Sequence, residues 1–354
     1  MEKKQLFTEK TSRRTFLVQS ATALAMASML PTAFSCSKKE ECCKGEAGKP
    51  CSKFNGVQIG TITYSWRSMP PKDVETMIAY CKEANLSSLE LKGEDLERVL
   101  GVPENPQTRI MAELRANMPA PKPGERPKRP QMNEEQKAEV AKYSEDLKAW
   151  RVGMDMAKVE AVRKQLNDAG INVHIVKFSP AGWSDEEIDY AFRATKAMGA
   201  KATTQEISLK DAQRLAPFAE KHDVIVAFHN HMQYAEEGFS CDPVLAVSPK
   251  MMLNFDMGHY YGSTGKNPCD FIKQYHERIY SIHIKDKTGP KAQQPNANQV
   301  WGQGETPLKE VLTLIKEQKW PIYCDIELEY QIKPWSNAIK ELGLCVRHAR
   351  EILM

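Results

Sequence analysis

Acidic and imidazole side chains cluster at the ends of five β-rich segments in the second half of the chain. Five of the eight histidines lie in these segments or in the β-rich run before them, a concentration that scattered histidines would seldom show. Carboxylate oxygens and imidazole nitrogens are ligands for Mn²⁺, Co²⁺, Zn²⁺ and Mg²⁺. The pattern therefore predicts a divalent-metal site built from Thr204-Gln205-Glu206, His229-Asn230-His231, Asp256-Met257-Gly258-His259, His283-Ile284-Lys285-Asp286 and Asp325-Ile326-Glu327-Leu328-Glu329.

A metal that polarises a carbonyl group needs a partner that removes and returns a proton near neutral pH. A lysine beside a cation and other lysines would have a lowered pKa and could act as a base or as the partner of an enolate. Structural pairing of the lysines with Glu90, Asp286 or Glu329 is the alternative. The candidates for proton transfer are Glu206, Glu327, His231, Lys177 and Lys285.

Eight β-rich runs alternate with helical patterns from residue 57 onward. Because parallel strands need helical crossovers, this alternation predicts an α/β fold of the (β/α)₈ TIM-barrel type. An open doubly wound sheet is disfavoured because the first run contains no Gly-rich dinucleotide loop. In a barrel the polar segment ends would meet at the carboxyl edge of the strands, where catalytic groups lie. The predicted strands are 57–64, 86–92, 172–178, 202–207, 224–229, 251–256, 279–285 and 322–328.

Residues 94–150 interrupt the alternation as an insertion after the second predicted strand. The insertion has five prolines between Pro119 and Pro130 and a charged helical stretch from Asn133 to Trp150. Over the mouth of a barrel it would form a lid or a contact between subunits of a homo-oligomer. A disordered excursion is the alternative.

The first 36 residues predict export. The paired Arg13 and Arg14 precede an apolar run that is too short to span a bilayer, which resembles a Tat signal peptide, with an ordinary Sec signal as the alternative. Ala33-Phe34-Ser35-Cys36 resembles a lipoprotein cleavage box, which would place a lipid on Cys36 and anchor the periplasmic chain to a membrane. Residues 37–55 would then form a polar tether, and residues 56–354 the barrel domain.

The charge balance argues against a nucleic-acid partner. Five of the 49 basic residues and two of the 46 acidic residues lie in the leader, which leaves 44 of each in the rest of the chain. Nucleic-acid binding normally needs a basic face or stripe, which a neutral chain does not provide. We therefore expect a small-molecule partner and no nucleic acid.

Four motifs in the second half of the chain share a wider pattern. They are Asp-x-x-His after the sixth predicted strand, His-x-x-Asp on the seventh, a Gly-x-Gly turn and a glutamate on the last strand, in Asn254–His259, Ile282–Asp286, Trp301–Glu305 and Ile326-Glu327. Together they resemble the xylose isomerase-like TIM barrels, a family that includes sugar phosphate isomerases/epimerases, tagatose-type ketose epimerases, hydroxypyruvate isomerase and inosose dehydratase. The resemblance covers roughly residues 57–352.

The resemblance implies three metal ligands, Asp256, His283 and Glu327. The family's remaining ligand is usually a glutamate on the strand before the aspartate, but this chain has His229-Asn230-His231 there, similar to the His-rich strand of inosose dehydratase. Either Glu206 or one of these histidines completes the set, and we expect Glu206, with His231 near the substrate. The residues expected to contact substrate are His259, His229, Glu90 and Trp301.

The resemblance and the leader together imply an exported, divalent-metal-dependent sugar isomerase or epimerase. Its substrate would be an unphosphorylated ketose or polyol that reacts through an enediolate, because sugar phosphates are cytoplasmic and no Gly-rich phosphate loop is evident. A metal-dependent lyase or dehydratase acting on a 3-keto-glycoside or keto-inositol is the first alternative. A carbohydrate-binding lipoprotein without catalysis is the second, and the intact set of metal-ligating residue types argues against it.

Overall fold

A computed structural model describes residues 48–70, 73–118 and 130–354 of the chain. The strands in this part are β1 (Lys53–Phe54), β2 (Val57–Ile62), β3 (Ser88–Lys92), β4 (Asn172–Lys177), β5 (Ala202–Glu206), β6 (Ile225–His229), β7 (Met251–Asp256), β8 (Ile279–Ile284), β9 (Asp286–Lys287), β10 (Asn298–Gln299) and β11 (Tyr323–Ile326). Eight of them are parallel and follow the order β2-β11-β8-β7-β6-β5-β4-β3. Because β2 also pairs with β3, the sheet closes on itself. The predicted (β/α)₈ TIM barrel is confirmed.

Helices surround the barrel. Within the described residues they are α1 (Val74–Ala84), α2 (Gly93–Val99), α3 (Pro106–Ala116), α4 (Glu134–Val152), α5 (Met156–Asp168), α6 (Asp185–Ala197), α7 (Leu209–His222), α8 (Asp242–Leu245), α9 (Met257–Thr264), α10 (Pro268–Tyr275), α11 (Leu308–Gln318) and α12 (Ala338–Leu353). Their starts follow local sequence: the side chain of Asp73 accepts a hydrogen bond from Thr76 N at the start of α1. Ser184 and Glu187 form a capping box at the start of α6.

The interior of the barrel is unusually polar. Below the carboxyl ends of the strands, Ser88 Oγ is 2.9 Å from His174 Nδ1, and His174 Nε2 is 2.8 Å from Asp325 Oδ2. These three residues are at most 1% exposed, as are Glu90 and the strand residues next to it. Buried polar groups of this kind are stable only when they are hydrogen-bonded to one another, so the interior forms a fixed platform beneath the mouth.

The described part of the insertion is helical and packs on the outer ring. Arg151 at the end of α4 forms two hydrogen bonds of 2.7 and 3.0 Å with the carboxylate of Glu97 in α2, and both residues are buried. The guanidinium also lies 3.7 Å from the ring centre of Trp183, and Trp150 packs edge-on against Tyr190 of α6. The charged helical stretch predicted from Asn133 is therefore anchored to the barrel. The proline-rich part of the insertion, residues 119–129, lies outside the described residues.

The barrel domain begins earlier than the predicted boundary at residue 56. The short strand β1 pairs antiparallel with β2, and Ser52 is fully buried, so the last residues of the expected tether belong to the domain. Cys51 is disulfide-bonded, whereas five cysteines of the described part are free and buried, Cys81, Cys241, Cys269, Cys324 and Cys345. Among the described helices, none has the length and apolar character needed to cross a membrane. The predicted leader, residues 1–36, lies outside the described residues.

Candidate active site

Four side chains converge at the carboxyl end of the barrel. They come from the ends of β6, β7 and β8 and from the position directly after β11, and they are His229, Asp256, His283 and Glu327. All four are buried, and one ligand atom from each lies within 4.8 Å of the others. We call these residues the four-residue group. The two carboxylate oxygens of Asp256 have different partners. Oδ1 accepts a hydrogen bond from His259 N at the start of α9, and Oδ2 faces the four-residue group.

The spacing inside the four-residue group fits a divalent ion. Ligand atoms about 2.1 Å from an ion lie about 3.0 to 3.4 Å apart in octahedral or tetrahedral geometry. The observed separations are 3.4 Å from His229 Nε2 to Asp256 Oδ2, 2.9 Å from His283 Nδ1 to Glu327 Oε2, and 3.9 Å from His283 Nδ1 to Asp256 Oδ2. His229 Nε2 and Asp256 Oδ2 are buried without a well-aligned hydrogen bond. Two nitrogens and two carboxylates suit Zn²⁺, Mn²⁺ or Co²⁺.

Glu90 contacts the nitrogen of His283 that points away from the four-residue group. Its Oε2 is 2.8 Å from His283 Nε2 and also accepts a hydrogen bond of 2.9 Å from Asn254 Nδ2. Ser281 Oγ in turn donates to Asn254 Oδ1. Because Nε2 is engaged by Glu90, Nδ1 is the nitrogen that faces the four-residue group, as in carboxylate–histidine–metal arrangements. Burial opposes a charge on His283, but the carboxylates of Glu90 and Glu327 outweigh it and raise its pKa well above the usual value.

Glu206, the expected fourth ligand, lies on the far side of His229. Glu206 Oε2 is 3.4 Å from His229 Nδ1 and 3.1 Å from His231 Nδ1, and Lys177 Nζ is 3.7 Å from Oε1. Burial would raise the pKa of Glu206, but the hydrogen bonds with His229 and His231 lower it well below its usual range. The four-residue group therefore includes His229 and not Glu206, while Glu206 belongs with His229 and His231 to a second, more exposed group of possible ligands.

Lys285 lies against the open side of the four-residue group. Its Nζ is 2.8 Å from Asp256 Oδ2 and 2.7 Å from both Glu327 Oε2 and Glu329 Oε2. Gly258 makes room for this side chain, because a Cβ there would lie 2.1 Å from Lys285 Cγ. Burial opposes the charge, but the three carboxylates outweigh it and raise the pKa of Lys285 above its usual range. The lowered lysine pKa was expected beside a bound cation, and for Lys285 it stays a prediction.

The expected substrate contacts occupy different positions. His259 lies at the mouth, with Nε2 3.3 Å from Lys285 Nζ, and burial lowers its pKa to about 4. Glu90 is fully buried beneath His283, and the ring of Trp301 packs edge-on against His348 of α12. The Gly-x-Gly turn after Trp301 binds the side chain of Asp286. The Asp286 carboxylate accepts hydrogen bonds from the backbone N–H groups of residues 302, 304 and 306.

Two residues beside the site were not selected from the sequence. Asn254 contacts both Glu90 and His283, and Lys287 lies in β9, two residues after Lys285. Period-two alternation from Asp256 and His283 would have indicated both of them.

Comparisons with known proteins agree with the fold. A sugar phosphate isomerase/epimerase from Parabacteroides distasonis has 13% sequence identity and a TM-score of 0.54, with 89% of this chain and 99% of that chain covered. A xylose isomerase domain protein from Alicyclobacillus acidocaldarius has 11% identity and a TM-score of 0.54, with 83% and 98% covered. A probable 3-DHS dehydratase from Bacillus anthracis has 12% identity and a TM-score of 0.52, with 82% and 98% covered.

At these identities the solved structures support the fold alone. No curated protein sequence matches the chain. Residues 139–345 match the family described as xylose isomerase-like TIM barrels, and this range includes the whole four-residue group. The chain therefore belongs to the xylose isomerase-like TIM barrel family.

Proposed function

We propose that the chain is a divalent-metal-dependent sugar isomerase or epimerase that moves a proton at the carbon next to a ketone. The four-residue group would hold the ion through His229, Asp256, His283 and Glu327. When bound, the ion polarises a substrate carbonyl and makes the neighbouring C–H more acidic.

The observation that carries the proposal is the placement of proton-transfer groups on both sides of this mouth. Strands β5 and β11 lie diametrically opposite in the eight-strand ring. Glu206 is the last residue of β5 and Glu329 lies just after β11, and their side chains are 42% and 22% exposed. An epimerase removes a proton from one face of a carbon and returns one to the other face, so it needs two groups placed in this way.

The surrounding residues keep these groups in defined protonation states. Hydrogen bonding with Glu206 raises the pKa of His231, so this pair can hold a proton on the imidazole beside the carboxylate. On the opposite side Lys285 stays positively charged between three carboxylates, and its ammonium can donate to a substrate oxygen. Glu90 fixes which nitrogen of His283 faces the mouth.

Hydrogen exchange with solvent tests the proposal. The protein loaded with Mn²⁺, Co²⁺ or Zn²⁺ is incubated in D₂O with D-fructose, D-tagatose or a 3-keto-glucoside, and deuterium at the carbon α to the ketone is measured by NMR. We expect incorporation with at least one substrate and none with the Asp256→Asn variant, which removes one proposed ligand charge. Absence of deuterium from all three compounds would remove the proton-transfer step.

A lyase or dehydratase is the second candidate. It starts with the same proton abstraction but then expels water or an aglycone from the β-carbon. The two histidines at the end of β6, His229 and His231, and the structural similarity to a probable 3-DHS dehydratase support it. Mass spectrometry of the products distinguishes the two, because isomerisation keeps the mass of the substrate and elimination lowers it.

We further propose that the substrate is unphosphorylated and that the chain is exported and lipidated on Cys36. The paired arginines and the Ala33–Cys36 box support this location, and the disulfide at Cys51 is compatible with an oxidising compartment. Mass spectrometry of the N-terminal peptide from membranes tests it. A Cys36 peptide without a diacylglyceryl group, in a chain that keeps residues 1–35, would contradict the proposal.

A further inference from the structure

A hairpin covers part of the mouth beside the four-residue group. Strands β9 and β10 pair antiparallel with Lys287 opposite Asn298, and the intervening loop is closed by a hydrogen bond of 3.0 Å from Thr288 N to Ala297 O. Asn296 Nδ2 is 3.2 Å from Met232 Sδ in the loop after β6. The hairpin is therefore tied to another loop at the carboxyl end of the barrel.

Lys287 is buried in this hairpin without a counter-ion. It is 2% exposed, and it forms no ion pair or side-chain hydrogen bond with the residues that the structure describes. Lys285, two residues earlier, has three carboxylate partners. Burial lowers the pKa of Lys287, and the charge of Lys285 adds to this effect. The amine nitrogen itself is not sealed from solvent, so an amine without a carboxylate partner here is available to a ligand.

Two buried acceptors lie on the same hairpin as Lys287. Asn296 Oδ1 and Asn298 Oδ1 are buried and have no hydrogen-bond partner. Asn296 adopts a left-handed backbone conformation with φ of 54°, which directs it into this place. A Cβ on Gly262 would lie 2.2 Å from Asn296 Oδ1 and 3.1 Å from Lys287 Cε, so the two side chains converge on the same point of α9. Buried polar atoms without partners call for a ligand or an ordered water.

We propose that Lys287, Asn296 and Asn298 form a subsite for hydroxyl groups of the substrate beyond the carbons held at the four-residue group. A hydroxyl can accept a hydrogen bond from the lysine amine and donate one to one asparagine carbonyl, so two neighbouring hydroxyls of a sugar would satisfy all three residues. A carboxylate or phosphate would suit the lysine but would oppose the two carbonyl oxygens. This inference rests on the proposed function, because it extends the substrate of the same site.

The hydroxyls have two potential sources, the distal end of a single sugar or a second glycosyl unit. Calorimetric titration of the metal-loaded protein with xylitol, D-fructose and turanose (glucosyl-fructose) separates them. Losing a hydrogen bond from a charged donor weakens binding by roughly 10-fold or more, and we expect this for Lys287→Met. An equal loss for all probes indicates distal hydroxyls, and a loss for turanose alone indicates a second glycosyl unit. Lys291→Met, which removes an exposed lysine of the same hairpin, is the matched control and should bind like the wild type.

Thermal unfolding distinguishes the subsite from a structural role. Removing an amine without a carboxylate partner should leave Tm unchanged or raise it, whereas a lysine that stabilises the fold would lower Tm on substitution. A lowered Tm for Lys287→Met, or affinities equal to wild type, overturns the subsite. Wild-type protein that binds metal but none of the three probes also overturns it. Failure to bind metal refutes the proposed function instead, and the titrations are then read on the metal-free protein.

Discussion

Replacing His229 by alanine tests which residue completes the proposed metal site. His229 is 2% exposed, and its Nε2 faces Asp256 Oδ2 while its Nδ1 faces Glu206 Oε2. If the geometry describes the ligand set, His229→Ala removes a ligand and Glu206→Gln removes only the partner of that ligand. The ligand set expected from the sequence would give the opposite order of effects.

The magnitude follows from the four-ligand arrangement. Zinc sites with four protein ligands bind their ion with roughly 10–16 kcal/mol, so one ligand contributes about 3 kcal/mol on an equal share. At about 1.4 kcal/mol per factor of ten, His229→Ala should weaken metal affinity roughly 100-fold or more. Loss of a carboxylate that orients a ligating histidine costs about 10- to 100-fold. Glu206 should lie near the lower limit, because it is 42% exposed and 3.4 Å from His229 Nδ1.

Competition with a fluorescent chelator measures both affinities for Zn²⁺ and Mn²⁺. His222→Ala is the matched control, because His222 is paired with Asp189 at 2.8 Å on the outer ring and should not affect metal binding. Far-UV circular dichroism of the metal-free variants checks that the barrel stays folded. A larger loss for Glu206→Gln than for His229→Ala would refute the assignment of His229 and return Glu206 to the ligand set.

Four further substitutions test the site and the fold. Asp256→Asn and His283→Ala should each abolish stoichiometric metal in elemental analysis of folded protein; a full equivalent in both would contradict the ligand assignment. Glu97→Gln breaks a buried pair with Arg151 and should lower the free energy of unfolding in urea by about 3 kcal/mol or more, and a change below about 1 kcal/mol would mean that α4 is not anchored there. Burial raises the pKa of Asp189, but hydrogen bonds from a lysine and a histidine outweigh it and lower the pKa to about 2. The contribution of Asp189 to the free energy of unfolding is therefore present above pH 4 and lost as the pH falls toward 2. Asp189→Asn should lower the free energy of unfolding by at most about 2 kcal/mol at pH 7 and reduce its dependence on pH between 4 and 2. An unchanged dependence on pH would contradict the pairing.

The strands could be predicted from the sequence because each is a short β-rich run between helical patterns. All eight predicted strands are present, and β7 has the predicted bounds of 251–256. The ends of the others differ by one or two residues, since strand ends depend on the neighbouring strand that supplies their hydrogen bonds. The last strand was predicted to reach Leu328, but its ladder to β8 ends at Ile326.

Asp256, His283 and Glu327 could also be selected from the sequence, because they occupy strand ends that a barrel must bring together. The choice between Glu206 and His229 could not be made there. They are the last residues of the neighbouring strands β5 and β6, and the deciding quantity is the direction in which each side chain points across the mouth. The partners of Lys285 could not be predicted from the sequence either, because two of its three carboxylates lie more than 40 residues away in the chain.

The alternation of strands and helices, the closed parallel barrel and the residue types at its carboxyl edge can be predicted from the chain, because each of these follows from local patterns. The folded barrel was needed to establish which nitrogen of each histidine faces inward, which carboxylates surround Lys285, and that Lys287 is buried without a counter-ion. These properties depend on distances of 3 to 4 Å between side chains from different strands. Such distances arise only when the barrel closes, so no local pattern in the chain encodes them.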